Sequence, residues 1–322
     1  MEYNYCGHSG LMLPKLSLGL WHNFGSVDSY DNAERMLLRA FDLGITHFDL
    51  ANNYGPEPGS AEINFGKILS AKLKGHRDEI LVSSKAGHRM WPGPYGDGCS
   101  RKSIMSSIDQ SLKRTGLDYF DIFYSHRYDG VTPIEETMQA LVDIVRQGKA
   151  LYVGISKYPL NLQQKCYDFL RESKVPCLVS QYRLSMFDRA SLPNVNLAMN
   201  NGSGVVCFSP LAQGLLTDKY FNGVPTDSRA AKSTGFLRLD QVTSQRIDAA
   251  KKLNAIALQR GQTLPQMALA WLLAMKPITS VIIGASSAQQ IENNLKAIDN
   301  LTFSEPELNQ ISEILSGLPS WS

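Results

Sequence analysis

The sequence has little that would tie it to a membrane, an oxidising compartment or a nucleic acid. No apolar run approaches the length of a bilayer span, so no transmembrane helix is expected. The opening stretch MEYNYCGHSG lacks the basic start and apolar core of a secretory signal. Five cysteines, Cys6, Cys99, Cys166, Cys177 and Cys207, are scattered without a Cys-x-x-Cys pair. An odd, unspaced set points to reduced thiols in a cytoplasmic protein rather than a disulfide framework. Neither sign of charge dominates: 32 Lys+Arg against 30 Asp+Glu leave +2, which gives no basis for a broad nucleic-acid surface. No G-x-G-x-x-G occurs, so the phosphate loop of a doubly wound dinucleotide fold is missing; NGSGVV at 201–206 precedes an apolar run instead of following one. No low-complexity tract, linker or longer repeat divides the 322 residues, which read as a single domain, 1–322.

What is present is a rhythm of eight short apolar runs. They are LSLGL 16–20, ITHFD 45–49, EILVSSK 79–85, YFDIFYSH 119–126, ALYVGIS 150–156, CLVSQ 177–181, GVVCFS 204–209 and SVIIG 280–284. Several are rich in Val, Ile, Phe and Tyr and too short for helices, as expected of strands buried on both faces. Between them the spacing turns helical. Ala33, Met36, Leu37, Ala40 and Phe41 form one stripe, and Ile104, Ile108 and Leu112 another. TPIEE at 132–136 predicts Thr132 as an N-cap with Pro133 at the first helical position. Eight strands alternating with helices predict an α/β fold, a (β/α)8 TIM barrel, with residues before the first strand forming an N-terminal β-hairpin that turns at Gly7–Gly10. The long polar stretch 212–241 is expected to be a loop over the active face.

Barrel enzymes work at the C-terminal ends of their strands. Here the runs end in Asp49, Lys85, His126, Ser156, Gln181 and Ser209. Tyr54 follows Asp49 in HFDLANNYG, 47–55. At one barrel mouth, an aspartate would keep a buried lysine charged. That cation would in turn favour the phenolate and lower the tyrosine pKa from its usual value of about 10. Such a tyrosine could give a proton to a substrate oxygen, with a histidine orienting the same oxygen and a cofactor supplying hydride. Asp49, Tyr54, Lys85 and His126 are therefore the candidate catalytic residues.

GITHFDLANNYG 44–55, Lys85, YSHR 124–127, GISKY 154–158, Gln181, FSPLAQGLLTDKY 208–220 and IIGASSAQQIENN 282–294 together resemble the aldo-keto reductase superfamily, along nearly the whole chain. LSLGLWHNFG 16–25, WPGPYG 91–96 and SRK 100–102 are similar to its bacterial L-glyceraldehyde 3-phosphate reductase branch, which is related to the potassium-channel β-subunits. The resemblance implies Asp49, Tyr54, Lys85 and His126 as a catalytic tetrad. It also implies a nicotinamide held by Ser156 and Gln181, stacked on Phe208, beside Trp21 and Lys157. Ser209, Pro210, Leu211, Gln213, Gly214 and Leu215 would follow the pyrophosphate. Gly284, Ser286, Gln290 and Asn294 would take the adenosine end, at a helix N-terminus suited to an anion. Lys219 and Arg229 match basic residues that close over a 2′-phosphate, which favours NADPH (NADP+) over NADH. Two departures stand out: Lys157 where many relatives carry Asn, and Asn293 where they often carry Glu.

Trp21, His22, Trp91, Tyr95 and Arg127 are the candidate substrate contacts. Nearby Arg89, Arg101 and Lys102 add positive charge and suggest a phosphorylated or carboxylated small aldehyde. The expected partners are thus a small-molecule aldehyde, with L-glyceraldehyde 3-phosphate and methylglyoxal-like compounds as candidates, and no membrane, nucleic acid or metal. The resemblance adds a homo-tetramer or homo-octamer. Three other readings stay open. Lys85 could form a Schiff base as in an aldolase. His47, Asp49 and His126 could bind a metal. Or the chain could bind NADPH as a channel-β-subunit-like partner with little turnover.

Overall fold

The computed structural model describes residues 1–225, 237–319 and 321. Arg229, a candidate phosphate contact, lies outside the described residues.

Eight parallel strands close into a barrel. In chain order they are β3 (Leu16–Gly19), β4 (His47–Asp49), β5 (Leu81–Ala86), β6 (Phe120–Ser125), β7 (Ala150–Ser156), β8 (Val179–Arg183), β9 (Gly204–Phe208) and β10 (Ile278–Ile283). Each pairs with its neighbour in sequence, and β10 pairs back to β3. An antiparallel hairpin, β1 (Tyr3–Tyr5) and β2 (Met12–Pro14), precedes them. Cys6 and Leu13 are fully buried, and Cys6 Sγ donates to the Leu178 carbonyl just before β8. The hairpin therefore covers the N-terminal end of the barrel, opposite the mouth where strand-end chemistry is expected. All five cysteines are buried.

Helices form the outer ring. The first is α1 (Tyr30–Asp42), capped by Ser29, and it buries Ala33, Met36, Leu37 and Ala40 against the strands, as its spacing predicts. Next come α2 (Ser60–Lys72), α3 (Arg101–Thr115), α4 (Ile134–Arg146), α5 (Leu160–Glu172) and α6 (Leu192–Asn200). Then α7 (Ser244–Gln259), α8 (Leu264–Leu273), α9 (Ala288–Leu295) and α10 (Glu305–Ser316) follow. Among the described residues no helix is long and apolar enough to cross a membrane.

The cap of α4 differs from the sequence expectation. The helix starts at Ile134 with Pro133 at the cap position, so Thr132 stands outside it. The Thr132 hydroxyl donates to Asp129 Oδ2 instead, which withdraws it from the helix amides. One glycine is required inside the barrel. Gly154 pairs with Tyr124 across β6 and β7, and a Cβ there would lie 2.6 Å from the Tyr124 ring. Only glycine leaves room for that fully buried ring.

Candidate active site

Side chains two residues apart on a strand share a face. That period builds a polar column inside the barrel. On β4 His47 and Asp49 point inward; on β5 Ser83 and Lys85 do, and Asp49 pairs with Ser83 in register. Lys85 is fully buried and Asp49 nearly so. The Lys85 ammonium donates to Asp49 Oδ2 at 2.6 Å, to the Leu50 carbonyl at 2.6 Å and toward the Tyr54 hydroxyl at 3.3 Å. Asp49 Oδ1 accepts from Ser83 at 2.7 Å and from Gln181 at 3.2 Å. Tyr54 reaches the mouth on the turn after β4, which Gly55 completes at φ +94°, a left-handed conformation natural to glycine.

The Ser83 proton goes to Asp49, so Ser83 must accept from His47 Nε2, 3.0 Å away. His47 Nδ1 then accepts from Ser17 at 2.8 Å, and Ser17 accepts from Ser280 at 2.7 Å. The column is fully satisfied and oriented toward Asp49. Burial, opposed by Asp49, pushes the His47 pKa down to about 4, consistent with a neutral ring. Both its nitrogens are engaged by serines, which removes it from any metal-ligand set. Ser17, Ser83 and the Leu50 carbonyl carry no sequence motif; the strand alternation that sets His47 beside Asp49, applied to Lys85, would have found Ser83.

Burial opposes the Lys85 charge, but Asp49 and Tyr54 outweigh it and hold the ammonium above its usual pKa. That is the reverse of what a Schiff-base lysine needs. Tyr54 corrects the sequence expectation. Burial of the phenol is the largest influence and raises its pKa, while the adjacent Lys85 only offsets part of it. The neutral phenol, the form that can give a proton, is thereby favoured.

His126 directly follows β6, with its ring centroid 6.0 Å from that of Tyr54 in an edge-on arrangement. Burial, followed by Lys157, Lys85, His88 and Arg127, holds its pKa well below normal, so it is neutral. Trp21 stacks on His22 at 4.4 Å and faces Tyr54 at 6.2 Å. Asp49, Tyr54, Lys85 and His126 thus meet at one mouth from three strands and a turn.

A cleft of about 1200 Å³ leads away from Tyr54 and Trp21, past Phe208, to Ser286 and Asn294. Its lining includes Ser209, Pro210, Leu211, Gln213, Gly214 and Lys219 after β9, and Gly284 and Gln290 around the start of α9. Leu215 is buried beneath that loop. Ser209, Ala212 and Gln213 all have φ between +48° and +58°, left-handed values unusual outside glycine and costing of order 1 kcal/mol each. Gln290 Oε1 accepts from the Ser286 amide at 2.8 Å, shaping the α9 N-terminus. Ser156 ends β7 in register with Gln181 on β8. Among the described residues, buried Ser156 Oγ, His126 Nδ1 and Asn294 Nδ2 have no hydrogen-bond partner. Buried polar atoms are nearly always bonded, so the open Asn294 amide fits a polar ligand in the cleft, and Ser156 and His126 leave groups open to one at the strand-end mouth.

The substrate candidates are spread more widely. His22 lines the cleft beside Trp21. Trp91 and Tyr95 lie on the loop after β5 and are exposed, with Lys102 set over the Tyr95 ring. Arg127 is engaged, donating to Asp97 at 2.7 Å and to the Gly87 carbonyl at 2.8 Å. His88 was not a candidate, yet its ring lies 4.5 Å from that of His126.

A closed parallel barrel with a buried Asp–Lys pair under a mouth tyrosine defines a carbonyl oxidoreductase of barrel type. The Aldo/keto reductase family model matches residues 15–316, and the chain belongs to that family. It is an oxidoreductase that reduces aldehydes with a nicotinamide cofactor. The chain is 53% identical over 320 residues to the L-glyceraldehyde 3-phosphate reductase of Escherichia coli K12, covering 97% of this chain and 92% of that one. The protein of the same name from Escherichia coli O157:H7 is equally similar, with the same coverage.

Proposed function

We propose that this chain reduces small aldehydes with NADPH, using Tyr54 as the proton donor. The observation that carries the reading is the contact from the Tyr54 hydroxyl to an ammonium that is itself fixed by Asp49. A neutral phenol beside a fixed cation can release its proton when negative charge grows on a carbonyl oxygen, because Lys85 stabilises the phenolate left behind. Neutral His126 stands where it can hydrogen-bond the same oxygen. NADPH, when bound, supplies the hydride.

Ser156 and Gln181 would hold the carboxamide, and Phe208 the nicotinamide face. The left-handed loop after β9 would follow the pyrophosphate. Ser286, Gln290 and Asn294 would take the adenosine 2′-phosphate end, joined by Lys219 and Arg229. The name of the Escherichia coli relatives supports L-glyceraldehyde 3-phosphate as a candidate substrate, alongside methylglyoxal-like aldehydes.

Following cofactor absorbance with NADPH and then NADH, against glyceraldehyde 3-phosphate and methylglyoxal, tests the reading. Faster turnover with NADPH is expected. Protein that binds NADPH tightly yet oxidises it with no aldehyde would instead support a cofactor-sensing partner.

A further inference from the structure

Lys157 is a cation without a counterion in a group where every other cation has one. Lys85 is paired with Asp49, Arg127 with Asp97 and Arg183 with Asp188. Among the described residues no carboxylate meets Lys157. Its ammonium instead donates to His88 Nε2 at 3.0 Å. An ammonium has no acceptor to offer, so His88 is held neutral with its proton on Nδ1. Among the described residues nothing accepts from the other two Lys157 donors. The backbone holds Lys157 at φ +56°, a left-handed value that few residues other than glycine adopt without cost, while its amide donates to the Gln181 carbonyl at 3.1 Å. Its side chain stays solvent-exposed. Even so, desolvation by the surrounding walls, ahead of the cations Lys85, Arg127 and Arg183, lowers its pKa to about 8.

The side chains that Lys157 reaches bear on which ligand this charge faces. His88, His126 and Lys157 follow β5, β6 and β7, one continuous arc of the mouth. The cleft is lined from the ends of β3, β4, β9 and β10, and its described lining includes none of His88, His126 and Lys157. Lys157 reaches His88, whose ring stands edge-on to that of His126 at 85°. It is therefore tied to the side of the site where a carbonyl would meet His126, a short carbon chain away.

We infer that Lys157, steadied by His88, binds the phosphate monoester of a phosphorylated short-chain aldehyde. The inference rests on the reductase reading above and narrows its substrate class. A phosphate dianion supplies the missing counterion and accepts the two open donors, and a charge-assisted contact of this kind is stronger than a neutral one. An unphosphorylated aldehyde leaves both donors to water.

The test compares kcat/KM for glyceraldehyde 3-phosphate with that for glyceraldehyde, the same carbon chain without phosphate, in wild type, Lys157→Met and Lys157→Asn. Asn accepts the left-handed backbone, which guards against loss of folding. NADPH Kd is measured for each protein by fluorescence. In wild type the ratio should favour the phosphorylated substrate, and both substitutions should lower it ~10- to 100-fold, the scale of a hydrogen bond to a charged group. Lys157→Arg should retain most of the preference. A wild-type ratio near one, or a ratio unchanged by substitution, overturns the inference while leaving the reductase reading intact. So does a loss that appears in NADPH Kd instead, which would assign Lys157 to the cofactor. Wild type inert toward both aldehydes would remove the reductase reading, and this inference with it.

Discussion

Replacing Tyr54 by Phe separates chemistry from structure, because among the described residues the hydroxyl makes one hydrogen bond, with Lys85. Lys85 would lose its longest hydrogen bond, 3.3 Å, and keep the two at 2.6 Å to Asp49 and Leu50. A well-placed hydrogen bond from a charged group is worth about 1.5–3 kcal/mol, and this one is long, so the fall in the urea midpoint should correspond to no more than the lower end of that range. Lys85 would remain charged and Asp49 would remain paired. The proton donor, however, would be gone. General-acid catalysis contributes ~10²–10⁴-fold, about 3–5 kcal/mol in the barrier at 1.36 kcal/mol per decade. Single-turnover oxidation of pre-bound NADPH by an aldehyde reports that step without interference from binding. A Tyr54→Phe protein that turns over within tenfold of wild type, with NADPH affinity intact, would show that another group supplies the proton.

Two further outcomes follow from buried charge. Asp49→Asn strands the Lys85 ammonium in a site with no solvent exposure, which should cost ~3–5 kcal/mol of stability. The stranded lysine's folded pKa would then fall below its unfolded value, so the deficit should be largest at low pH and shrink as pH rises; urea midpoints from neutral to alkaline pH check this, and adding Lys85→Met should recover part of the loss. Asp129 lies near the start of α4. Burial works to raise its pKa, but hydrogen bonds from Thr132, Cys99 and Val131 prevail and lower it to about 2. A depressed carboxylate contributes stability that is complete above its unfolded pKa near 4 and disappears as pH falls through about 2. After discounting for solvent screening the contribution is on the order of 1 kcal/mol. Wild type should exceed Asp129→Asn in stability at pH 7, and the gap should close in acid.

The barrel was legible because strands buried on both faces leave unbroken apolar runs; all eight appear within a few residues of their expected ends. Asp49, Lys85 and His126 were legible because barrel chemistry collects at strand ends, and the family pattern added Tyr54. The interior column was not. Ser17, Ser83 and Ser280 look like unremarkable strand residues until strand register turns them toward His47. His88 was missed because its position depends on a loop path that periodicity does not encode. The direction of the Tyr54 shift was misjudged for a related reason: a nearby cation can be inferred from sequence, but the burial that outweighs it is a property of packing. Thr132 failed as a cap because Asp129, three residues earlier, offered its hydroxyl a carboxylate.

The seclusion of the cysteines bears on what this protein can survive. Burial drives every one of the five thiols upward, Cys177 to about 11 and Cys99 to about 12, so none is poised as a thiolate near neutrality. Reactive carbonyl compounds add to amines, guanidiniums and thiols, and the last route needs an accessible, ionised sulfur. A protein that meets such electrophiles therefore offers them no exposed thiolate, which leaves its surface lysines and arginines as the groups open to attack.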